Sequence, residues 1–167
     1  MGGVERDMLT PPTVAVIGGG QLARMMQESA IALGINLRVL VEAEDGSTGL
    51  VTVDKAVGAP KDLDAVRALI DGADVLTFEH EHIPAQTMEE AARVVSVQPP
   101  APALLYAQDK LQMRARLSEM GIPCPAWARV DNAAELERFG AVIGWPLIVK
   151  TPLGGYDGHG VAVAHSP

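Results

Sequence analysis

The sequence predicts an α/β fold with a mostly parallel, doubly wound sheet, and three observations support that prediction. Short β-branched runs such as residues 13–17 alternate with segments of helical periodicity. A glycine triplet, Gly18 to Gly20, joins the first predicted strand to the first predicted helix. The alternation continues to about residue 97, and strands that are linked by helices form parallel sheets.

The predicted elements of this first part follow in chain order. We predict strands at 13–17, 35–41, 55–57, 74–78 and 94–97, and helices at 21–33, 63–70 and 84–93. In the first helix the spacing of an amphipathic helix is found at Leu22, Met25, Met26, Ser29, Ala30 and Leu33. Gly34 ends this helix, Asp62 is a predicted N-cap of the second, and Pro84 suits the first turn of the third.

The composition changes after residue 97. A proline cluster at 99–102 precedes a predicted helix at 104–120. Asn132 and Glu135 have the spacing of a capping box for a short helix that ends at Phe139. Two further strands are predicted at 146–151 and 161–164.

This organisation predicts two domains. Residues 13–103 carry the full alternation of strands and helices, and we expect them to form the first domain. Two strands and one short helix cannot bury a core by themselves. We therefore expect residues 104–167 to be a linker helix followed by the truncated beginning of a second domain.

The composition of the 167 residues excludes several functional classes. With 48% hydrophobic and 20% charged residues, the chain has the composition of a globular protein. A formal net charge of −8 argues against nucleic-acid binding, which requires a basic face. The single cysteine, Cys124, cannot form an internal disulfide, and residues 1–12 lack the features of a signal peptide. We expect a cytoplasmic protein that does not associate with membranes.

The glycine triplet begins the pattern Gly18-x-Gly20-x-x-Ala23 at the junction of a strand and a helix. Backbone N–H groups at the start of a helix can hold a phosphate, and dinucleotide-binding proteins of this fold class use such a turn. Glu42 follows the second strand, where those proteins keep the acid that binds a ribose. The pattern therefore permits an NAD-binding Rossmann domain, although any tight turn of this kind also needs glycine.

A charged segment, Glu79 to His82, follows the fourth predicted strand. In an extended segment His80 and His82 face one side, and Glu79 and Glu81 face the other. Only two ligands would then converge on a metal ion, whereas zinc usually has three or four. The favoured interpretation is a polar rim at the carboxyl end of a strand, where Glu79 or Glu81 accepts hydrogen bonds from a substrate.

The segment from Lys150 to Gly160 carries four glycines in seven positions between two predicted strands. Its amides could close over a polyphosphate, and Lys150 could reach the phosphates as a point charge. It is not a Walker loop, because neither a Gly-Lys-Ser/Thr ending nor a following helix is present. A flexible hairpin is the alternative, but such a hairpin would not require Tyr156 and Asp157 inside the glycine run.

Five segments together resemble a known family. In chain order they are Gly-Gly-Gly-Gln-Leu-Ala-Arg-Met from residue 18, Thr-Phe-Glu-His-Glu-His-Ile-Pro from residue 77, Ala-Gln-Asp-Lys from residue 107, Gly-Ile-Pro-Cys-Pro from residue 121, and Val-Lys-Thr-x-x-Gly-Gly-Tyr-Asp-Gly-x-Gly from residue 149. This order is similar to that of the N5-carboxyaminoimidazole ribonucleotide synthetases, which are ATP-grasp enzymes. The resemblance runs from about residue 14 to residue 163.

The resemblance implies a fold and an activity. The fold would be a Rossmann-like pre-ATP-grasp domain without NAD, followed by the start of an ATP-grasp central domain. The enzyme would be a carbon–nitrogen ligase of purine biosynthesis and a homodimer. ATP would phosphorylate bicarbonate, and the amine of 5-aminoimidazole ribonucleotide would capture the carboxyl group. No residue here would act as a catalytic nucleophile, the Mg²⁺ ligands would lie beyond Pro167, and the fragment alone would be inactive.

The resemblance also implies roles for particular residues. Lys110 and Lys150 would contact ATP. The lid over the ATP phosphates would comprise Gly155, Tyr156, Asp157, Gly158, His159, Gly160 and Val161. The ribonucleotide would be contacted by Tyr156, Asp157 and His159, together with Gly20, Gln21, Leu22 and Glu79 or Glu81.

Three positions depart from the family pattern. Many relatives have Arg where Lys110 stands, and Lys keeps the charge but lacks the bidentate fork of a guanidinium. His159 replaces Arg or Lys, and an imidazole is only partly charged near neutral pH. Val161 replaces a polar residue, often Gln. Three alternatives remain at this stage: an NAD(P)-binding oxidoreductase domain, another ATP-grasp ligase such as a formate-dependent purine transformylase, and a non-catalytic nucleotide-binding fragment.

Overall fold

The computed structural model describes residues 10–155 and 158–167, and it confirms the predicted α/β class. The chain divides into two compact units between Ala101 and Pro102. Whether residues 13–103 and 104–167 are separate folding domains stays a prediction. Within the described ranges, no helix has both the length and the apolar character that a bilayer-crossing segment requires.

The first unit is built on a parallel sheet of five strands in the order β3-β2-β1-β4-β5, which confirms the predicted doubly wound arrangement. Its strands are β1 (Thr13–Ile17), β2 (Asn36–Val41), β3 (Lys55–Val57), β4 (Val75–Phe78) and β5 (Ser96–Val97). Its helices are α1 (Gln21–Leu33), α2 (Leu63–Ile70) and α3 (Ala85–Ala92). Most predicted bounds differ from these by two residues or fewer at each end.

The strand register determines which residues meet at the carboxyl edge of the sheet. β1 lies between β2 and β4, and Ile17 is opposite Leu40 on one side and Phe78 on the other. The residues that directly follow Ile17 and Phe78 are therefore neighbours. The strand order reverses direction at β1, and open α/β sheets bind ligands at such a point.

The side of α1 that faces the sheet differs from the predicted stripe. Ala23 and Ala30 are buried against the sheet, whereas Leu22, Met25 and Leu33 are 58%, 57% and 71% exposed. The amphipathic pattern is therefore offset by one residue. The large apolar residues do not mark the buried face of α1. Alanine allows the helix backbone to approach the sheet closely, and an exposed Leu or Met is common on protein surfaces.

The ends of the first two helices follow the predictions. Gly34 adopts the left-handed conformation with φ 66°, and its N–H donates to the carbonyls of Ala30 and Ile31. Asp62 caps α2, because its carboxylate accepts hydrogen bonds from the N–H groups of Asp64 and Ala65. Pro84 lies one position earlier than predicted, at the N-cap of α3.

In the second unit, two helices take the place of the single helix that was predicted at 104–120. Its elements are α4 (Ala101–Gln108), α5 (Lys110–Glu119), α6 (Ala133–Ile143) and the antiparallel strands β6 (Leu147–Lys150) and β7 (Val161–Ala164). Asp109 interrupts the predicted helix at 104–120, since its backbone is extended (φ −114°, ψ 108°). Its Oδ1 accepts hydrogen bonds from the N–H groups of Leu111 at 2.8 Å and Gln112 at 3.1 Å. The prediction of one continuous helix was wrong because periodicity does not reveal a side chain that competes for the backbone.

Helix α6 begins as predicted but ends four residues later than predicted. Asn132 accepts a hydrogen bond from the N–H of Glu135 at 3.1 Å, which confirms the cap. The helix continues through Gly140, where a Cβ would collide with the ring of Trp145. It ends at Gly144, whose φ is 96°. Glycine inside a helix is unfavourable, so the helix was predicted to end before Gly140.

We predict that Asp109 stabilises the start of α5. Asp109→Ala should lower the free energy of unfolding by about 1 kcal/mol, because the N–H groups of Leu111 and Gln112 lose their acceptor. Denaturant titration measures the change. Asp109→Asn is the matched control, since its amide oxygen can still accept and most of the stability should be retained. An alanine variant as stable as the original chain would contradict this role.

We also predict that amide exchange differs between the two sheets. β1 is paired on both sides and its last three residues are buried, so its amides should exchange slowly. β6 and β7 form a two-stranded sheet in which Ile148 and Val163 are 57% and 50% exposed, so their amides should exchange faster. Hydrogen exchange measured by mass spectrometry tests this. Equal protection of β1 and β6 would contradict it.

Candidate functional site

Glu79 lies beside the glycine turn at the carboxyl edge of the first sheet. Its own N–H donates to the carbonyl of Ile17, which continues the pairing of β4 with β1. Its carboxylate accepts two backbone hydrogen bonds from the start of α1. Oε1 is 2.8 Å from the amide nitrogen of Gly20, and Oε2 is 2.6 Å from that of Ala23.

The turn requires glycine because the Glu79 side chain lies against it. Gly18 has φ 115°, a conformation that residues with a Cβ rarely adopt. A Cβ added at Gly18 would collide with the Glu79 side chain, and one at Gly20 would lie 2.6 Å from Glu79 Oε1. The glycines thus allow a carboxylate to approach the backbone.

Thr48 also binds this turn, through two hydrogen bonds. Its hydroxyl donates to the carbonyl of Gly20 at 2.6 Å, and its N–H donates to the carbonyl of Gly19 at 3.1 Å. The residue is fully buried. Thr48 could not be predicted from the sequence, since the loop after β2 has neither periodicity nor a motif that marks one residue.

The Gly20 amide, one of the groups expected to hold a phosphate, is engaged within the protein, and phosphate binding at the first glycine turn stays a prediction. That N–H donates to Glu79, as does the N–H of Ala23, so a carboxylate of the protein occupies the position. The NAD hypothesis depended on the same amides and is disfavoured for this reason. Glu42 does follow β2, but its side chain is exposed.

The predicted ribonucleotide contacts of the first unit lie near one another. Gly20 and Glu79 are hydrogen-bonded, and Gln21 Oε1 accepts a hydrogen bond from the Ser47 hydroxyl at 3.2 Å. Leu22 is exposed on the first turn of α1. Their contact with a substrate stays a prediction.

The histidines after β4 lie on one side of the segment, as predicted. The rings of His80 and His82 are 5.8 Å apart, and His80 Nδ1 accepts a hydrogen bond from the His82 N–H at 3.1 Å. Glu81 pairs with His82 at 3.7 Å. With Glu42 and Lys61, both histidines line an open cavity of about 690 Å³. Among the described residues, no group of three or more His, Cys, Asp or Glu is arranged to hold a metal ion.

In the second unit, Lys110 contacts the glycine hairpin. It is the first residue of α5, and its N–H donates to the carbonyl of Pro152 at 3.0 Å. Its ammonium donates to the carbonyl of Gly155 at 3.1 Å. Lys110 and Gly155 were predicted to contact the same ligand, but their contact with each other was not predicted.

The other predicted ATP contacts lie along the same hairpin. Lys150 is exposed at the end of β6, opposite Val161 in β7. The N–H of Thr151 donates to the carbonyl of Gly160 at 2.9 Å, which closes the base of the hairpin. Gly158 and Gly160 adopt left-handed conformations with φ 85° and 66°, and His159 between them is exposed. Tyr156 and Asp157, also predicted to contact ligands, lie outside the described residues.

The second unit therefore brings a lysine ammonium, a second lysine and a turn rich in backbone amides to one hairpin. Such a combination suits an anion that carries several charges. In the first unit, by contrast, a carboxylate already neutralises the helix start. The two glycine-rich segments thus differ in chemistry although both are rich in the same residue.

Two family models match the chain in succession. One, described as the ribonucleotide synthetase preATP-grasp domain, matches residues 12–108. The other, described as the ATP-grasp domain, matches residues 115–167.

Curated relatives share the same description. An N5-carboxyaminoimidazole ribonucleotide synthase of Mycobacterium bovis is 48% identical over 92% of this chain and 36% of its own length. One of Corynebacterium ammoniagenes is 42% identical over 90% of this chain and 37% of its own length. The chain thus spans little more than a third of the length of the curated relatives that it matches.

Solved structures of such enzymes are similar in fold. The Staphylococcus aureus N5-carboxyaminoimidazole synthetase complexed with ADP has a TM-score of 0.84 and 30% identity, covering 93% of this chain and 42% of that one. The Aspergillus clavatus enzyme in complex with ADP and 5-aminoimidazole ribonucleotide has a TM-score of 0.82 and 33% identity, covering 95% and 42%. The chain therefore belongs to the ribonucleotide synthetase preATP-grasp family, with the start of an ATP-grasp domain after it.

Proposed function

We propose that this chain is the N-terminal part of an ATP-dependent carbon–nitrogen ligase of purine biosynthesis. The reaction joins bicarbonate to the amine of 5-aminoimidazole ribonucleotide. ATP supplies the driving force, and ADP, phosphate and N5-carboxyaminoimidazole ribonucleotide are the products. The curated relatives carry the name of this activity, and the similar solved structures hold ADP or ADP with the ribonucleotide, which supports the proposal.

The observation that carries the proposal is the contact of Lys110 with the glycine hairpin. Its ammonium lies 3.1 Å from the Gly155 carbonyl, so a positive charge is held beside the glycine-rich loop. Polyphosphates are bound by such pairs of a cation and a backbone loop. We propose that Lys110 and Lys150 contact ATP and that residues 155–161 cover its phosphates.

The ribonucleotide is proposed to contact the first unit at Gly20, Gln21, Leu22 and Glu79, with Glu81 as the alternative carboxylate. Each oxygen of Glu79 already accepts one backbone hydrogen bond. A carboxylate oxygen can accept two, so Glu79 can still bind a substrate hydroxyl. His159 and the two residues before Gly158 are proposed to contact the same ligand from the hairpin.

Binding and positioning are the proposed contributions of these residues to catalysis. No described side chain is assigned as a nucleophile, and charge neutralisation with exclusion of water would account for the rate. Magnesium is expected with ATP in this family, but the described residues do not provide a set of ligands for it. We therefore assign no step to a metal on this chain. A cytoplasmic homodimer that binds neither nucleic acid nor membranes is part of the proposal.

The activity test uses the full-length protein with ATP, bicarbonate and 5-aminoimidazole ribonucleotide. Phosphate release should require all three, and the product should contain the bicarbonate carbon. Release that needs only ATP, or that proceeds with formate in place of bicarbonate, would replace the proposed reaction with another of the ATP-grasp type. NAD-dependent absorbance changes would instead support an oxidoreductase.

We predict that Lys150→Ala in the full-length protein raises the KM for ATP about ten- to a hundredfold. The loss of one charge-assisted hydrogen bond costs about 1.5–3 kcal/mol. The KM for the ribonucleotide should change much less. Arg138→Ala is the matched control, because it removes an exposed cation of the same unit on α6. Unchanged ATP affinity in Lys150→Ala would contradict the assignment.

We further predict that Gly160→Ala weakens ATP binding more than Gly154→Ala does. Both glycines are left-handed, with φ 66° and 70°, so alanine costs about 1–2 kcal/mol at either position. A Cβ at Gly160 would also collide with Thr151, whereas Gly154 faces open space. Titration with ATP gives the two affinities. Equal losses would show that the shape of the hairpin base does not control nucleotide binding.

A further inference from the structure

We propose that Thr48 is a positioning residue for the ribonucleotide, because it sets the direction in which the backbone amide of Gln21 points. Thr48 lies in the loop of residues 42–54 that joins β2 to β3. Its effect on the ligand is exerted through the turn and not by direct contact. The inference rests on the proposed function, in which the turn at Gly20 and Gln21 contacts 5-aminoimidazole ribonucleotide, and it adds a residue outside that contact.

Thr48 holds two successive carbonyls of the turn. Its N–H donates to the carbonyl of Gly19 at 3.1 Å, and its hydroxyl donates to the carbonyl of Gly20 at 2.6 Å. The residue is fully buried, so bulk water does not compete for these donors. The Gly20 carbonyl also accepts the first bond of α1, from the N–H of Arg24 at 3.2 Å. Because helix ends fray, the hydroxyl adds a restraint that the helix does not supply by itself.

The geometry of the peptide bond carries this restraint to the neighbouring amides. A planar trans peptide points its carbonyl and the N–H of the next residue in opposite directions. The peptide between Gly19 and Gly20 shows the effect, since its carbonyl faces Thr48 while its N–H donates to Glu79 at 2.8 Å. In the next peptide the Gly20 carbonyl faces the Thr48 hydroxyl, so the N–H of Gln21 points away from Thr48.

The amide of Gln21 remains available to a ligand. Glu79 accepts hydrogen bonds from Gly20 and Ala23 but not from the two residues between them. None of the described residues accepts a hydrogen bond from the N–H of Gln21 or Leu22. Amides in the first turn of a helix have no partner within the helix and can donate to an acceptor of a ligand. The direction of the Gln21 amide therefore affects how well a ribonucleotide binds.

The loop that carries Thr48 is itself restrained. The ammonium of Lys55 donates to the carbonyl of Gly49 at 2.6 Å, and the N–H of Thr52 donates to the carbonyl of Thr48 at 3.0 Å. The Thr52 hydroxyl lies 3.1 Å from Oε1 of Gln27, farther along α1. Thr48 therefore approaches the turn from a backbone that is held in place. The loop carries a second buried threonine, Thr52, that bonds the same helix away from the turn.

The test removes the Thr48 hydroxyl in the full-length protein. Thr48→Val keeps the branched shape but cannot donate to the Gly20 carbonyl. The KM for the ribonucleotide should rise about three- to tenfold, which corresponds to the loss of one neutral hydrogen bond, whereas the KM for ATP should not change. Thr48→Ser keeps the hydroxyl and should restore most of the affinity. Thr52→Val is the matched control, because it removes a buried hydroxyl of the same loop and should leave both constants unchanged.

Steady-state kinetics with each substrate varied in turn give the two constants, and circular dichroism shows whether each variant folds. An unchanged KM for the ribonucleotide in Thr48→Val, an equal rise in the KM for ATP or in Thr52→Val, or a rise that Thr48→Ser does not reverse would overturn this inference alone. Absence of ribonucleotide-dependent turnover in the original protein would refute the proposed function and this inference with it. If Thr48→Val does not fold, Thr48→Ala replaces it. Failure of both to fold would assign the hydroxyl to the fold and not to the ligand, which also overturns the proposal.

Discussion

The pair of hydrogen bonds from the first turn of α1 to Glu79 is the interaction on which the organisation of the first unit depends. It joins the end of β4 to the start of the helix that follows β1, across the point where the strand order reverses. Backbone N–H groups at a helix start have no partner within the helix and are costly to leave unsatisfied away from water. The Glu79 carboxylate, which follows the neighbouring strand β4, removes that cost and holds the start of α1 at the edge of the sheet.

The two glycine-rich segments show why similar sequences need not perform the same function. In the first, the amides of Gly20 and Ala23 donate to Glu79, and the Gly20 carbonyl accepts from Thr48. The second is contacted by a lysine whose ammonium rests on a backbone carbonyl, a weaker acceptor than a phosphate oxygen.

The sequence predicted elements well wherever the signal was local. Strand alternation, the Gly34 stop and the caps at Asp62 and Asn132 depend on neighbouring residues, and all were confirmed. Features that depend on a distant contact could not be predicted from the sequence. The Glu79 carboxylate reaches amides 59 and 56 positions away, and Gly140 continues α6 because it packs beside Trp145. The helix break at Asp109 is local, but the hydrophobic pattern does not reveal it. An aspartate is compatible with that pattern both on the surface of a helix and at its N-cap.

Ala23 belongs both to the core and to the site. Its methyl group is buried between α1 and the sheet, while its N–H donates to Glu79. A larger side chain at this position would push the helix outward and would move the amide away from the carboxylate at the same time. The packing of the core and the position of this amide therefore depend on the same residue. A substitution at residue 23 that loosens the core is therefore expected to weaken the hydrogen bond to Glu79 as well.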